Sequence, residues 1–182
     1  MTTRRAFAAF ALALTIAVPL VAHAKLTKTG DAVGRFKASG PAGLAINGTT
    51  TDVAVSDDGT QVTVEVKLGA IQTGITLRDG HTKKALEVDT YPSAKLTVPR
   101  ASLKFPDAGK ETSGDVKGNL TIHGQTKEVT FHYSAKKDGD TISVKGNAPI
   151  KIDDYGIKPP SYLGVSVKND VIIETEFQAK DN

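Results

Sequence analysis

The chain has 182 residues, 23 of them Lys or Arg against 20 Asp or Glu, and it contains no cysteine. Without cysteine there is no disulfide framework, thiol nucleophile, cysteine-held metal or lipoprotein anchor, so stability outside the cytoplasm rests on packing and backbone pairing. The nearly balanced charges form no basic cluster, which excludes a nucleic-acid-binding face.

The first 24 residues have the zones of an export signal. Arg4 and Arg5 are followed by an uncharged run, Ala6 to Ala22, of 17 residues that contains Pro19. That run is short for a membrane span, and it ends in Ala22-His23-Ala24, small residues around a larger one, which places cleavage after Ala24. Thr3-Arg4-Arg5-Ala6-Phe7 also fits a twin-arginine signal, so both the Sec and the twin-arginine routes stay open. Removing 24 of 182 residues leaves a mature domain, 25–182, of 158 residues with 21 basic and 20 acidic side chains. No second apolar run reaches spanning length, so no transmembrane anchor is expected in the mature chain.

From Asp31 onward apolar residues alternate with period two, the mark of strands with one face buried. The expected strands are Ala32–Ala38, Leu44–Gly48 and Thr51–Val55, the last joined through Ser56-Asp57-Asp58-Gly59 to Gln61–Leu68. In the latter, Val62, Val64, Val66 and Leu68 share a face. Leu77–Val88 breaks the rhythm and reads as a short helix laid across the sheet, stopped by Asp89-Thr90-Tyr91-Pro92. Ala94–Val98 with Ser102–Phe105 follows, then Val116–Ile122 with Val116, Leu120 and Ile122 inward. Next comes a strand with Val129, Phe131, Tyr133 and Ala135 inward. A two-residue loop at Gly124-Gln125 would pair His123 with Thr126, Leu120 with Val129 and Val116 with Tyr133, leaving His132 opposite Lys117 on the outer face. Lys136–Asp140 reads as a turn, and Thr141–Ala148 and Val171–Ala179 complete the set, with Asn169-Asp170 turning into the last. Many short strands and one short helix imply a single all-β domain, a barrel or a sandwich.

Motifs for chemistry are sparse. His81, His123 and His132 lack the spacing of a helical metal pair, and there is no nucleophile elbow, phosphate loop or dinucleotide fingerprint. Asp57-Asp58 and Asp153-Asp154 lie in turns, where carboxylates shape the backbone. The Arg78, Asp79 and His81 cluster suits a capping and ion-pairing role that fastens the helix to the barrel rim, with contact to a ligand head group as the alternative. No catalytic residue, metal or cofactor is therefore expected. The positive signal is apolar: Val64, Val66, Leu68, Leu120, Ile122, Val129, Phe131, Tyr133, Ile142, Val144 and Ile173 would fill a barrel or line a cavity in it. Small residues at Gly118, Ala135, Gly146 and Ala148 would leave room for a cavity.

Three ordered motifs carry a family resemblance. Thr73-Gly74-Ile75-Thr76-Leu77-Arg78-Asp79-Gly80-His81 is followed by Leu86-Glu87-Val88 and Tyr91-Pro92, and then by Gly118-Asn119-Leu120-Thr121-Ile122-His123-Gly124-Gln125-Thr126-Lys127. Asp154-Tyr155-Gly156-Ile157 and Pro160-Ser161-Tyr162-Leu163-Gly164-Val165 close the set. Together they resemble YceI-like periplasmic proteins across most of Asp31–Asp181. The resemblance implies an eight-stranded, lipocalin-like antiparallel barrel with a short helical insertion, binding an isoprenoid or similar lipid inside. It puts Leu77, Arg78, Asp79, His81, Leu86, Tyr91 and Tyr162 at the rim, although Thr82-Lys83-Lys84-Ala85 stands where relatives carry a more apolar run. The resulting expectation is a periplasmic carrier for a polyisoprenoid or other long-chain amphiphile. The alternatives are a metal-assisted or hydrolytic enzyme using His81 or His123, and an envelope interaction module; homodimerisation is left open.

Overall fold

The computed structural model describes residues 25–162 and 165–181, and the expected signal segment 1–24 lies outside them. The long strands are β1 (Leu26–Ser39), β2 (Ala45–Thr50), β3 (Val53–Asp57), β4 (Gln61–Lys67), β5 (Ser93–Pro99), β6 (Glu111–Ile122), β7 (Gln125–Asp138) and β8 (Thr141–Lys151). Two short strands, β9 (Ser161–Tyr162) and β10 (Val165–Ser166), form a separate ribbon, and β11 (Asp170–Asp181) ends the chain. Helix α1 (Thr76–Ala85) lies between β4 and β5.

Nine strands make one antiparallel sheet in the order β2-β1-β11-β8-β7-β6-β5-β4-β3, a nearly closed barrel. The count exceeds the expected eight because one strand is split. β2 pairs with β1, β3 pairs with β4, and only Thr51-Asp52 separates them. The Thr50 hydroxyl accepts the Asp52 N–H at 3.1 Å, a local bond that interrupts the ladder. The inward positions pass from Thr50 to Val53, an odd step that turns the segment as a bulge does. A single segment thereby serves both neighbours and brings the sheet round on itself.

Two sequence expectations need correction. The β6–β7 turn is His123-Gly124, with φ of 52° and 71°, so that Ile122 pairs with Gln125. Two consecutive positive φ values are what a type I′ hairpin requires. Relative to the expected register every partner shifts by two residues: Leu120 faces Lys127, Val116 faces Phe131, and His132 faces Asp115 rather than Lys117. A two-residue shift keeps inward residues inward, so the face assignment survives the error. It also sets Gly118 opposite Val129 and Gly114 opposite Tyr133, small against large. The second correction concerns Ser102–Phe105, which is not a strand. Pro99 ends β5, Arg100–Ser102 forms a 3₁₀ turn, and Leu103 and Phe105 beyond it pack against the core. The expected Lys136–Asp140 turn is shorter, since β7 runs through Asp138 before Gly139 turns with φ of 56°.

The barrel has two dissimilar ends. At the lower one, Arg100 is 8% exposed and its guanidinium pairs with Asp57 at the end of β3 and with Asp181 of β11 at 2.9 Å. Asp57 also accepts the Leu26 N–H at 2.9 Å, joining β1 to the same cluster. The guanidinium stacks 4.4 Å from the centre of the Phe105 ring. The upper end carries α1, the His123-Gly124 turn and the 3₁₀ turn Ile152–Tyr155. Removing one member of a buried ion cluster leaves the others desolvated and unpaired, so Arg100→Met should cost about 3–5 kcal/mol. Urea denaturation of the folded variant measures this, and the loss should exceed that from the exposed pair variant Lys110→Met, expected near zero.

Candidate ligand-binding site

Inward side chains do not fill the barrel. An outer cavity of about 170 Å³ lies beneath α1, and an inner one of about 120 Å³ lies towards Arg100's end. Phe36, Ile46, Leu68, Ile71, Ile122, Ile150, Ile157 and Val171 are among the residues that wall the outer cavity, with Thr82, Ala85 and Leu86 above them. Val62, Val64, Leu96, Val98, Leu103, Leu120, Phe131, Tyr133, Val144 and Phe177 wall the inner one. Val66, Ala94, Ile173 and Glu174 border both. The Glu174 carboxylate is held by Lys37 at 2.6 Å, so it adds no free charge to the interior.

Why space remains is a matter of local side-chain size. Gly146 and Ala148 border the inner cavity as their size suggests. Gly118 does not, because Leu96 and Val98 occupy the room, 3.1 Å from where a Cβ would be. Ala135 is 4% exposed within the core and borders neither cavity. Gly48 lies directly opposite Phe36, whose ring comes within 2.1 Å of the missing Cβ, so the ring lies down against the wall.

Of the eleven expected interior residues, nine border a cavity: Val64, Val66, Leu68, Leu120, Ile122, Phe131, Tyr133, Val144 and Ile173. Ile142 is 1% exposed in the packed core, and Val129 packs against the cluster around Ile122 and Tyr155. Sequence reasoning missed Gly34, Phe36, Ile46, Gly48, Ala94 and Leu96. Their period-two spacing was available as a signal, which Phe36, Ile46 and Leu96 carry plainly and which the glycines and Ala94 carry weakly.

At the rim, Arg78 donates to the Thr73 carbonyl at 2.6 Å, and the Asp79 carboxylate accepts both the Thr73 N–H at 2.6 Å and its hydroxyl at 2.5 Å. These bonds tie the start of α1 to the preceding loop, as a capping cluster does. Leu86 turns into the outer cavity. Leu77 points away and is 64% exposed, close to Ile75, while His81 is exposed on the helix. The Tyr91 ring packs against His123, ring centres 4.5 Å apart and planes tilted by 55°. The His123 Nδ1–H donates to the Tyr155 carbonyl at 3.1 Å, and Nε2 lies 3.5 Å from Glu87. His123 thus joins the β6–β7 turn to the segment after α1 and to the Asp154-Tyr155-Gly156 turn. The Tyr162 side chain falls outside the described residues. His132 pairs with Asp115 at 2.8 Å on the outer wall, and among the described residues no three His, Cys, Asp or Glu gather as a metal site.

With a buried ion cluster at one end, a helix at the other and apolar walls within, this is a lipocalin-like barrel. The YceI-like domain model matches residues 18–179, and the chain belongs to that family. It is 27% identical to a UPF0312 protein of Pseudomonas putida, over 94% of this chain and 96% of that one. A UPF0312 protein of Pseudomonas syringae is 30% identical over 70% of this chain and 68% of its own. Among solved structures, a polyisoprenoid-binding domain from Saccharophagus degradans, implicated in plant cell wall breakdown, superposes with a TM-score of 0.72 at 18% identity. That match covers 87% of this chain and 98% of the other. BcnA of Burkholderia cenocepacia gives a TM-score of 0.63 at 18% identity, covering 81% and 96%. Both likenesses are likenesses of fold.

Two outcomes follow for the rim. The Thr73 hydroxyl first, then its N–H, holds the Asp79 carboxyl below its ordinary value. Its stabilising effect is therefore complete above the ordinary carboxylate range and is lost as pH falls through the lowered value. The Thr73 amide resonance should titrate with that low midpoint, and Asp79→Asn should abolish the titration. His123→Gly keeps the positive-φ turn but removes the ring and its bonds. It should cost about 1–2 kcal/mol and speed hydrogen exchange at Glu87–Tyr91 while β8 and β11 stay protected.

Proposed function

We propose that the chain is an exported periplasmic carrier that holds the hydrocarbon tail of a polyisoprenoid, or of another long-chain amphiphile, inside the barrel. The observation that carries this reading is the pair of adjoining cavities, about 170 and 120 Å³, with walls that are mostly apolar, although the Thr175 hydroxyl at the inner one is buried without a partner. Such a space is unfavourable for water, which needs several polar partners, and favourable for hydrocarbon. Each buried methylene contributes about 0.8 kcal/mol, so ten would supply about 8 kcal/mol, on the order of micromolar affinity before association costs are subtracted. No catalytic group is needed for such binding. The fold shared with a polyisoprenoid-binding domain supports isoprenoids as the leading tail class.

The carrier works by desolvation: the tail leaves water or a bilayer for the barrel, and the head stays near α1 and the upper turns. Export follows from Arg4, Arg5 and the apolar run before Ala24, and no helix among the described residues is long and apolar enough to cross a membrane. Native mass spectrometry of gently purified protein should reveal one bound amphiphile, and delipidated protein should take up a prenyl alcohol. Protein that emerges empty and takes up no tail removes this reading. The mass of the periplasmic form should correspond to a chain beginning at Lys25, and a cytoplasmic full-length protein would contradict the assigned location.

A further inference from the structure

The two cavities differ in size and meet at a waist. Val66 and Ala94 are paired across β4 and β5, and Ile173 of β11 borders the same two spaces. Val66 fits there because Gly34 has no side chain: its Cγ1 lies 2.8 Å from where a Cβ on Gly34 would stand. The space beyond the waist is the smaller of the two, about 120 against about 170 Å³. Leu103, in the segment between the 3₁₀ turn Arg100–Ser102 and β6, borders it.

This floor is built, not merely filled. The Tyr133 hydroxyl accepts the Lys104 N–H at 2.8 Å and donates to the Lys104 carbonyl at 3.3 Å. Phe105 lies under the Arg100 guanidinium, which is itself held by Asp57 and Asp181. Opening the floor means breaking a buried ion cluster, which is costly. Opening the top means moving α1, a helix none of whose residues is buried. The helix-covered top is therefore the easier end to open.

We infer that the waist and the floor together act as a gauge. The waist at Val66, Ala94 and Ile173 admits one slender tail and rejects twin-tailed diacyl lipids, and Leu103 limits how long that tail can be and still gain affinity. The inference rests on the carrier reading and sharpens it by naming the class: a single-tailed amphiphile of bounded length. Such discrimination matters in a membrane-bounded compartment, where diacyl lipids compete for any apolar hollow.

The test measures dissociation constants of the delipidated full mature chain for prenyl alcohols of increasing length, and for diacyl phosphatidylglycerol. Wild-type affinity should rise, by at most about fourfold per added buried methylene, and then level off at a defined length. Phosphatidylglycerol should bind at least tenfold more weakly than the best prenyl alcohol. Ala94→Phe, and the milder Ala94→Leu should the first not fold, should bring the levelling point to shorter tails. Leu103→Ala, which opens the floor without touching Arg100, should move it to longer ones. Levelling points unmoved in folded variants, or diacyl lipid bound as tightly as the prenyl alcohols, overturn the gauge and leave the carrier standing. A wild-type chain that binds no tail of any length overturns both.

Discussion

A sheet that curls into a tube has to leave no strand edge open, and a chain without cysteine has no covalent means of holding the last edge shut. Here one segment, Ala45–Asp57, meets that constraint by pairing with β1 over its first half and β4 over its second. The change of partner takes place at Thr51-Asp52, where the Thr50 hydroxyl captures a backbone N–H that the ladder would otherwise need. Asp57, at the far end of the same segment, then binds Arg100 and the Leu26 N–H. Backbone pairing and the buried ion cluster thus act on one stretch of thirteen residues, and the enclosed apolar space depends on both.

The period-two pattern made most of this architecture readable. Val62, Val64 and Val66 alternate with polar residues, and so do Phe131 and Tyr133, because each wall faces water on one side and the interior on the other. What the pattern could not show is how far one strand slides along the next. Leu120 pairs with Lys127 and not with Val129, since a shift of two residues changes no side chain's face and leaves the alternation intact. The decisive information lay in backbone geometry, in the willingness of His123 to adopt positive φ beside Gly124. Neighbouring contacts fix that strain: the His123 ring is held by Tyr91 and the Tyr155 carbonyl.

The cavity was legible in part for a related reason. Nine of the eleven expected interior residues border it, yet whether a residue lines a hollow or fills a core depends on its partners across the barrel. Gly118 and Gly146 are alike in sequence, but Leu96 and Val98 close in on one while the inner cavity lies against the other. Phe36 could have plugged the outer cavity, and it is the bare backbone of Gly48 that lets the ring lie flat. Arg100, a charged residue after a proline, gave no sign in the sequence that it would be buried; its partners, Asp57 and Asp181, lie 43 and 81 residues away in the chain.

The floor beneath Leu103 has a kinetic meaning as well as a steric one. A tube open at both ends can pass a molecule from one neighbour to another while touching both. A tube stopped at one end can only take in and give back through the same opening, so supplier and recipient have to meet that opening in turn. On the proposed carrier reading, the bonds of Arg100 and Tyr133 at the lower end make this barrel a shuttle in its logic and not a conduit. Traffic on that reading would be set by how often the helix-covered mouth meets each side, and the time a cargo spends inside would be governed by that one exit.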